Sequence, residues 1–196
     1  LQNSEDWATQ VRAWAAAGSD ARMNGCEMPV VIVSGSGNQG ITASVPVWKY
    51  GKLMGADDDT ILRAVCLSDL ITIHQKTGIG RLSAYCGAVS AAAGAGAAIT
   101  YLYGGSVEDI STTISNTLAN VAGIVCDGAK ASCAAKIASA VEAGLLGLQM
   151  YRHDSQFYGG DGIIVKGVEN TIRAVSSIAR DGMRETDNEI IRLMIE

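Results

Sequence analysis

The chain has 196 residues and a formal net charge of −5, from 15 basic and 20 acidic side chains. This length allows one domain with a sizeable core, and we take residues 1–196 as a single domain. The acidic balance, the lack of a basic run and the single phenylalanine, Phe157, argue against nucleic acid as a partner. Five cysteines, an odd number without a signal-peptide pattern, argue against a disulfide framework, and we expect a cytoplasmic protein.

A first helix is predicted near the N-terminus. Ser4 is a suitable N-cap, and Trp7, Val11 and Trp14 recur on one helical face. We expect this helix to end near Gly18.

A glycine-rich motif follows in residues 29–42, PVVIVSGSGNQGIT, where Gly35 to Gly40 match the G-x-G-x-x-G pattern of dinucleotide sites. Such a site needs the glycine turn to open a helix inside a βαβ unit. Pro46 lies where that helix would run, and no second strand follows. We therefore expect no nucleotide at this motif.

The remaining chain is predicted to be helical. Helices are expected to begin at Asp58 or Asp59, at residue 82, at a Ser106–Asp109 capping box, at residue 129, near Val168 and at a Thr186–Glu189 capping box. The helix that begins at the Ser106–Asp109 capping box is expected to end at Gly128. We predict an all-α bundle of about six to eight helices with glycine-rich loops.

Residues 82–103 form the predicted central helix, which is built from Ala and Gly and carries no charge. The segment is long enough to cross a bilayer. Its small side chains have a weak drive into hydrocarbon, so we expect it to pack inside the bundle, with no membrane as a partner.

Three cysteines lie beside glycines or at predicted helix boundaries: Cys86, Cys126 and Cys133. In one unbroken helix, the last two would lie about 10.5 Å apart along the axis. A helix end at Gly128 would let both sulfurs fold inward. The alternative is that all three are small core residues, and spacing alone favours that alternative.

Four motifs together, SGSGNQGI, TGIGRLSAYCGA, CDGAKASCA and GGDGI, resemble the iron–sulfur L-serine dehydratase alpha chain family, and most closely its L-cysteine desulfidase branch. The resemblance implies that Cys86, Cys126 and Cys133 hold three irons of a [4Fe-4S] cluster. The fourth iron would bind the leaving group of L-serine or L-cysteine, and elimination would give pyruvate and ammonia.

The glycine motif then acquires a role in binding a small amino-acid substrate. Its backbone N–H groups and polar side chains suit a carboxylate, which makes the following residues candidates: Ser36, Gly37, Asn38 and Gln39. The alternative is a tight turn whose glycines serve backbone geometry alone.

The base that removes the α-proton has three candidates in the sequence: His74, Lys76 and Lys130. A histidine has a suitable pKa, and a buried lysine can be tuned to one. The alternatives are a helix-end histidine in water and solvated surface lysines.

Members of the family resembled here are longer on the N-terminal side, so we expect this chain to be the C-terminal part of a longer protein. We expect a homo-oligomer or association with that missing N-terminal part. The alternative function is a non-catalytic helical subunit or small-ligand-binding domain with structural cysteines.

Overall fold

The computed structural model describes residues 6–81 and 83–196, and within them the chain is almost entirely helical. The elements in chain order are α1 (Trp7–Met23), α2 (Gly37–Leu53), α3 (Asp58–Ile79), α4 (Gly87–Leu102), α5 (Val107–Val121), α6 (Ser132–Arg152), α7 (Val168–Ser177), a π-helical turn (Ile178–Gly182) and α8 (Arg184–Ile195). The extended backbone in this part pairs only at one antiparallel bridge, between Tyr85 and Val125. The predicted all-α bundle is confirmed.

Helix α4 lies at the centre of the bundle and packs against α2, α3, α5 and α6. Its small residues allow close approach: a Cβ on Gly96 would lie 3.1 Å from the Cα of Gly144 on α6, and one on Gly94 only 2.5 Å from the Ser68 carbonyl oxygen on α3. The prediction of an Ala/Gly-rich central helix is confirmed. None of the described helices has the length and apolarity that a bilayer crossing requires.

Local signals set several of the helix ends. The Ser106–Asp109 capping box at α5 is present as predicted. Helix α3 is capped by Asp57, whose carboxylate accepts from the Thr60 N–H at 2.9 Å. It ends at Ile79 because Gly80 takes a φ of 94°, a conformation that glycine adopts without strain.

The predicted end of the first helix at Gly18 is wrong, because α1 continues to Met23. A Cβ on Gly18 would lie 3.4 Å from Ile41 of α2, so this glycine serves helix packing rather than termination. The predicted cap, Ser4, lies outside the described residues, and the observed N-cap is Asp6.

Two further boundaries differ from the predictions. Helix α5 ends at Val121 rather than Gly128, because the following residues pair with the segment before α4. The predicted capping box at Thr186 is absent, since α8 begins at Arg184 and the Asp187 N–H already bonds to the Met183 carbonyl. The predicted start at residue 82 lies outside the described residues, and α4 begins at Gly87.

The glycine motif does open a helix, contrary to the expectation drawn from Pro46. Helix α2 runs through that proline and loses only the hydrogen bond that a proline cannot donate. The apolar run before it is no strand: residues 27–33 have no regular secondary structure, and Val31 is 81% exposed. Residues 6–81 and 83–196 contain no β-sheet, so the motif lacks the βαβ setting of a dinucleotide site.

Candidate functional site

Two cysteines from distant parts of the chain meet at the start of α4. The Cys86 N–H donates to the Ile124 carbonyl at 3.1 Å, and the Cys126 N–H donates to the Ala84 carbonyl at 2.6 Å. These bonds flank the isolated bridge and place the two side chains next to each other. Cys86 is the N-cap residue of α4 and is buried, whereas Cys126 is half-buried.

The two sulfurs interact directly. The Cys86 side chain, as a hydrogen-bond partner, lowers the pKa of Cys126. The ammonium group of Lys136, which donates to the Val125 carbonyl at 3.1 Å, contributes in the same direction. The same hydrogen bond, together with burial, raises the pKa of Cys86.

Lys76 of α3 lies beside this pair and is only 9% exposed. Among the described residues its ammonium makes no hydrogen bond or salt bridge. Burial lowers the pKa of Lys76, and the nearby charges of Cys126 and Cys86 oppose that shift. Two glycines make room for its side chain: a Cβ on Gly35 would lie 3.5 Å from the lysine Cε, and one on Gly87 would lie 3.9 Å from Nζ.

Gln39 of α2 is fully buried on the other side of Gly87. Its Oε1 accepts from the backbone N–H and the hydroxyl of Ser34, at 3.1 and 3.0 Å. Its Nε2 has no hydrogen-bond partner within the described residues. A Cβ on Gly87 would lie 3.9 Å from both this nitrogen and the Lys76 Nζ. Two unpaired donors thus converge on the N-terminus of α4, an arrangement that favours a bound anion.

The other three residues predicted to bind substrate have different surroundings. Ser36 is the N-cap of α2, and its hydroxyl accepts from the Gln39 N–H at 3.2 Å. Gly37 packs against Arg22 of α1, whose Nε would lie 2.7 Å from a Cβ at that position. Asn38 is buried on the same side, where its Oδ1 accepts from Arg22 at 3.1 Å. Of the four, Gln39 is the residue that faces Lys76.

The three candidate bases are separated in the structure. His74 is exposed and pairs with Glu169 of α7, with 2.8 Å between Nε2 and Oε2. Two residues along a helix of 3.6 residues per turn correspond to nearly opposite faces, so His74 points away from the Lys76 side. Lys130 is exposed in the loop before α6. Lys76 is the candidate that lies beside the cysteine pair.

A cavity of about 220 Å³ opens next to Lys76. Its lining residues come from the end of α3 and from the glycine motif: Ser34, Ile73, Lys76, Thr77, Gly80 and Arg81. Because one water molecule takes about 30 Å³ in the liquid, the space suits a ligand of amino-acid size.

The third cysteine proposed as a cluster ligand, Cys133, is buried in the first turn of α6. Its Sγ lies 3.5 Å from the Gly128 carbonyl oxygen. In the part of the chain that is described, no three Cys, His, Asp or Glu side chains lie close enough to hold a single metal ion. Each cysteine that binds an iron–sulfur cluster contacts a different iron, so a cluster does not require three side chains to meet at one metal ion. Cys86 and Cys126 are the two of the three proposed ligands whose side chains interact directly here.

Sequence reasoning missed Lys136, the cation next to Cys126. Its Nζ also bonds to the carboxylate of Asp127. Its sequence position could have indicated that it lies near the cysteines, because Lys136 is three residues after Cys133, one helical turn further along α6.

Comparison with known proteins identifies relatives along the whole chain. A UPF0597 protein of Lachnoclostridium phytofermentans is 59% identical over 191 residues, which cover 97% of this chain and 46% of that protein. UPF0597 proteins of Desulfitobacterium hafniense and Treponema denticola are 56% and 48% identical, over 97% and 100% of this chain and 44% and 46% of their own lengths. The chain therefore spans less than half the length of these curated relatives.

No solved structure matches the chain. Residues 2–192 match the protein family described as serine dehydratase alpha chain. The chain therefore belongs to the serine dehydratase alpha chain family.

Proposed function

We propose that this chain carries the catalytic site of an iron–sulfur-dependent amino-acid lyase, which converts L-serine or L-cysteine to pyruvate and ammonia by α,β-elimination. The observation that carries the proposal is the buried, unpaired Lys76 beside the Cys86–Cys126 pair, in a chain of the serine dehydratase alpha chain family. We place the reaction in the cytoplasm, where thiols stay reduced.

Cys86, Cys126 and Cys133 would hold a [4Fe-4S] cluster, which when bound supplies a Lewis acid for the departing hydroxyl or thiol. Three cysteine ligands leave one coordination position open, as catalytic metal centres require.

The substrate carboxylate binds, in this proposal, between the Gln39 Nε2 and the N-terminus of α4. The Gln39 Nε2 has no hydrogen-bond acceptor among the described residues, and the helix dipole favours negative charge at the start of α4. This contact orients the α-carbon towards Lys76.

Lys76 acts as the base in this proposal and removes the α-proton. Its burial favours the neutral amine that a base requires, and the adjoining cavity gives a small substrate access. The β-substituent then leaves with a proton, and the resulting enamine hydrolyses to pyruvate and ammonia. His74 is less suited, because it is held by Glu169 outside this cavity.

A second candidate function is a helical domain that binds a small amino acid without turning it over. The hydrogen bond of Cys133 to the Gly128 carbonyl favours this alternative, because that sulfur then has a structural partner. Gln39 and Lys76 would still bind a carboxylate. This candidate predicts no stoichiometric iron.

Iron and acid-labile sulfide per chain, measured after anaerobic reconstitution, distinguish the two candidates. The lyase proposal predicts about four of each in the native chain. Cys86→Ser and Cys126→Ser should lose most of both, whereas Cys66→Ser, a change at an exposed thiol of α3, should retain them. Equal iron in Cys86→Ser and Cys66→Ser would contradict the lyase proposal. Cys133→Ser tests the third ligand separately.

A further inference from the structure

One face of α3 presents apolar side chains to solvent. Leu62, Cys66, Leu70 and Ile73 recur at spacings of four, four and three residues, and all four are exposed, Leu70 by 64%. Such spacing puts them on one stripe of a helix. We call these four residues the α3 stripe.

The α3 stripe leads directly to the candidate site. Ile73 at its end lines the cavity next to Lys76, together with Ser34 from the glycine motif. Ile32 and Val31, two and three residues before Ser34, are also exposed. Within the described residues, no backbone N–H or carbonyl group of residues 27–33 pairs with another backbone group. Both segments that line the cavity therefore carry exposed apolar side chains, at Ile73 itself and shortly before Ser34.

Contiguous apolar surface of this kind is typical of a contact with another polypeptide segment. The relatives supply a candidate for that segment, because the match to this chain takes up only 46% of the Lachnoclostridium protein. More than half of each such relative therefore lies outside the matched region.

We propose that the α3 stripe is the docking surface for the rest of the polypeptide that these longer relatives possess, and that this contact covers the cavity beside Lys76. The inference deepens the proposed function by naming what closes its site, and to that extent it rests on that function. Covering the cavity would exclude water from the base and from the bound amino acid.

Cys66 provides a native reporter, because its thiol lies in the middle of the stripe and is exposed in this chain. The test uses a full-length chimera in which this chain replaces the matching part of the Lachnoclostridium protein. Alkylation by iodoacetamide is followed at Cys66 by peptide mass spectrometry. We expect it to be at least tenfold slower in the chimera than in the 196-residue chain. A control thiol introduced by Val107→Cys, at an exposed position on α5, should react equally fast in both.

A charged substitution in the α3 stripe provides a second test of the docking proposal. Leu70→Asp in the chimera should restore fast alkylation of Cys66, while Val107→Asp, also at an exposed apolar position, should leave it slow. Equal Cys66 rates in the chimera and the chain alone would overturn the proposal. So would a dimer of the chain alone that Leu70→Asp dissociates, since a second copy would then be the occupant. Alkylation needs neither iron nor turnover, so these results are separate from those on the lyase proposal.

Discussion

Gln39 and Asn38 are neighbours in the glycine motif, yet their side chains face different helices. Asn38 accepts a hydrogen bond from Arg22 on α1, whereas Gln39 points its unpaired Nε2 to the start of α4. The motif predicted that polar groups would gather here. The motif alone could not show which side chain faces the candidate site, because the directions of both side chains depend on the helix that begins at Gly37.

The contrast between these two residues gives a prediction for substrate binding. Gln39→Glu places a carboxylate where the substrate carboxylate would bind, so the KM of the reconstituted protein for the amino acid should rise at least tenfold. Asn38→Asp keeps its partner Arg22 and should change the KM by less than about twofold. Steady-state pyruvate formation measures both. A larger KM increase in Asn38→Asp than in Gln39→Glu would contradict this assignment.

The structure separates the three candidate bases in a way that the sequence could not. The sequence places His74 and Lys76 two positions apart, but burial and charge environment are non-local properties. In the fold, Lys76 is buried beside Cys86 and Cys126, while His74 is exposed beside Glu169.

At the scale of elements, the close contact of α4 with α3 depends on glycine. A Cβ at Gly94 would lie 2.5 Å from the Ser68 carbonyl oxygen and 2.6 Å from the Thr72 hydroxyl oxygen. Gly94→Ala should therefore lower the free energy of unfolding by about 1 to 2 kcal/mol, because overpacking outweighs the gain in helix propensity. Urea unfolding of the chain measures this change.

Gly18→Ala is the matched control for that variant. A Cβ at Gly18 of α1 would meet Ile41 at 3.4 Å, an ordinary contact, so helix propensity should dominate. We expect the free energy of unfolding to stay unchanged or rise by up to about 1 kcal/mol. Destabilisation of both variants to the same extent would show that packing at Gly94 has no special role.

The helices were largely predictable, because hydrophobic periodicity and capping residues are local signals. The start of α5 at the Ser106 capping box and the buried character of α4 followed from them. The end of α5 did not, because it depends on the bridge between Tyr85 and Val125, residues 40 positions apart. The same bridge brings Cys86 and Cys126 together. It therefore explains both the position of the cysteine pair and the wrong prediction of where α5 ends.

At the scale of the whole molecule, the described residues enclose the candidate site only in part. Ser34 of the glycine motif and the C-terminal part of α3 line the cavity beside Lys76, and Ile73 of the α3 stripe is one of the lining residues. The relatives are more than twice as long as the matched region, so more than half of each lies outside it. Which face the remainder covers could be proposed only once exposure was known.

The measurement that tests the lyase proposal most directly is pyruvate formation from L-serine and L-cysteine by the reconstituted full-length chimera and its Lys76→Met variant. Loss of a general base should lower kcat by about 10²- to 10⁴-fold with iron content retained. Lys49→Met, a change at a lysine of α2 over the Trp14 ring, should stay within about twofold of the parent. A Lys76→Met variant as active as Lys49→Met would contradict the account.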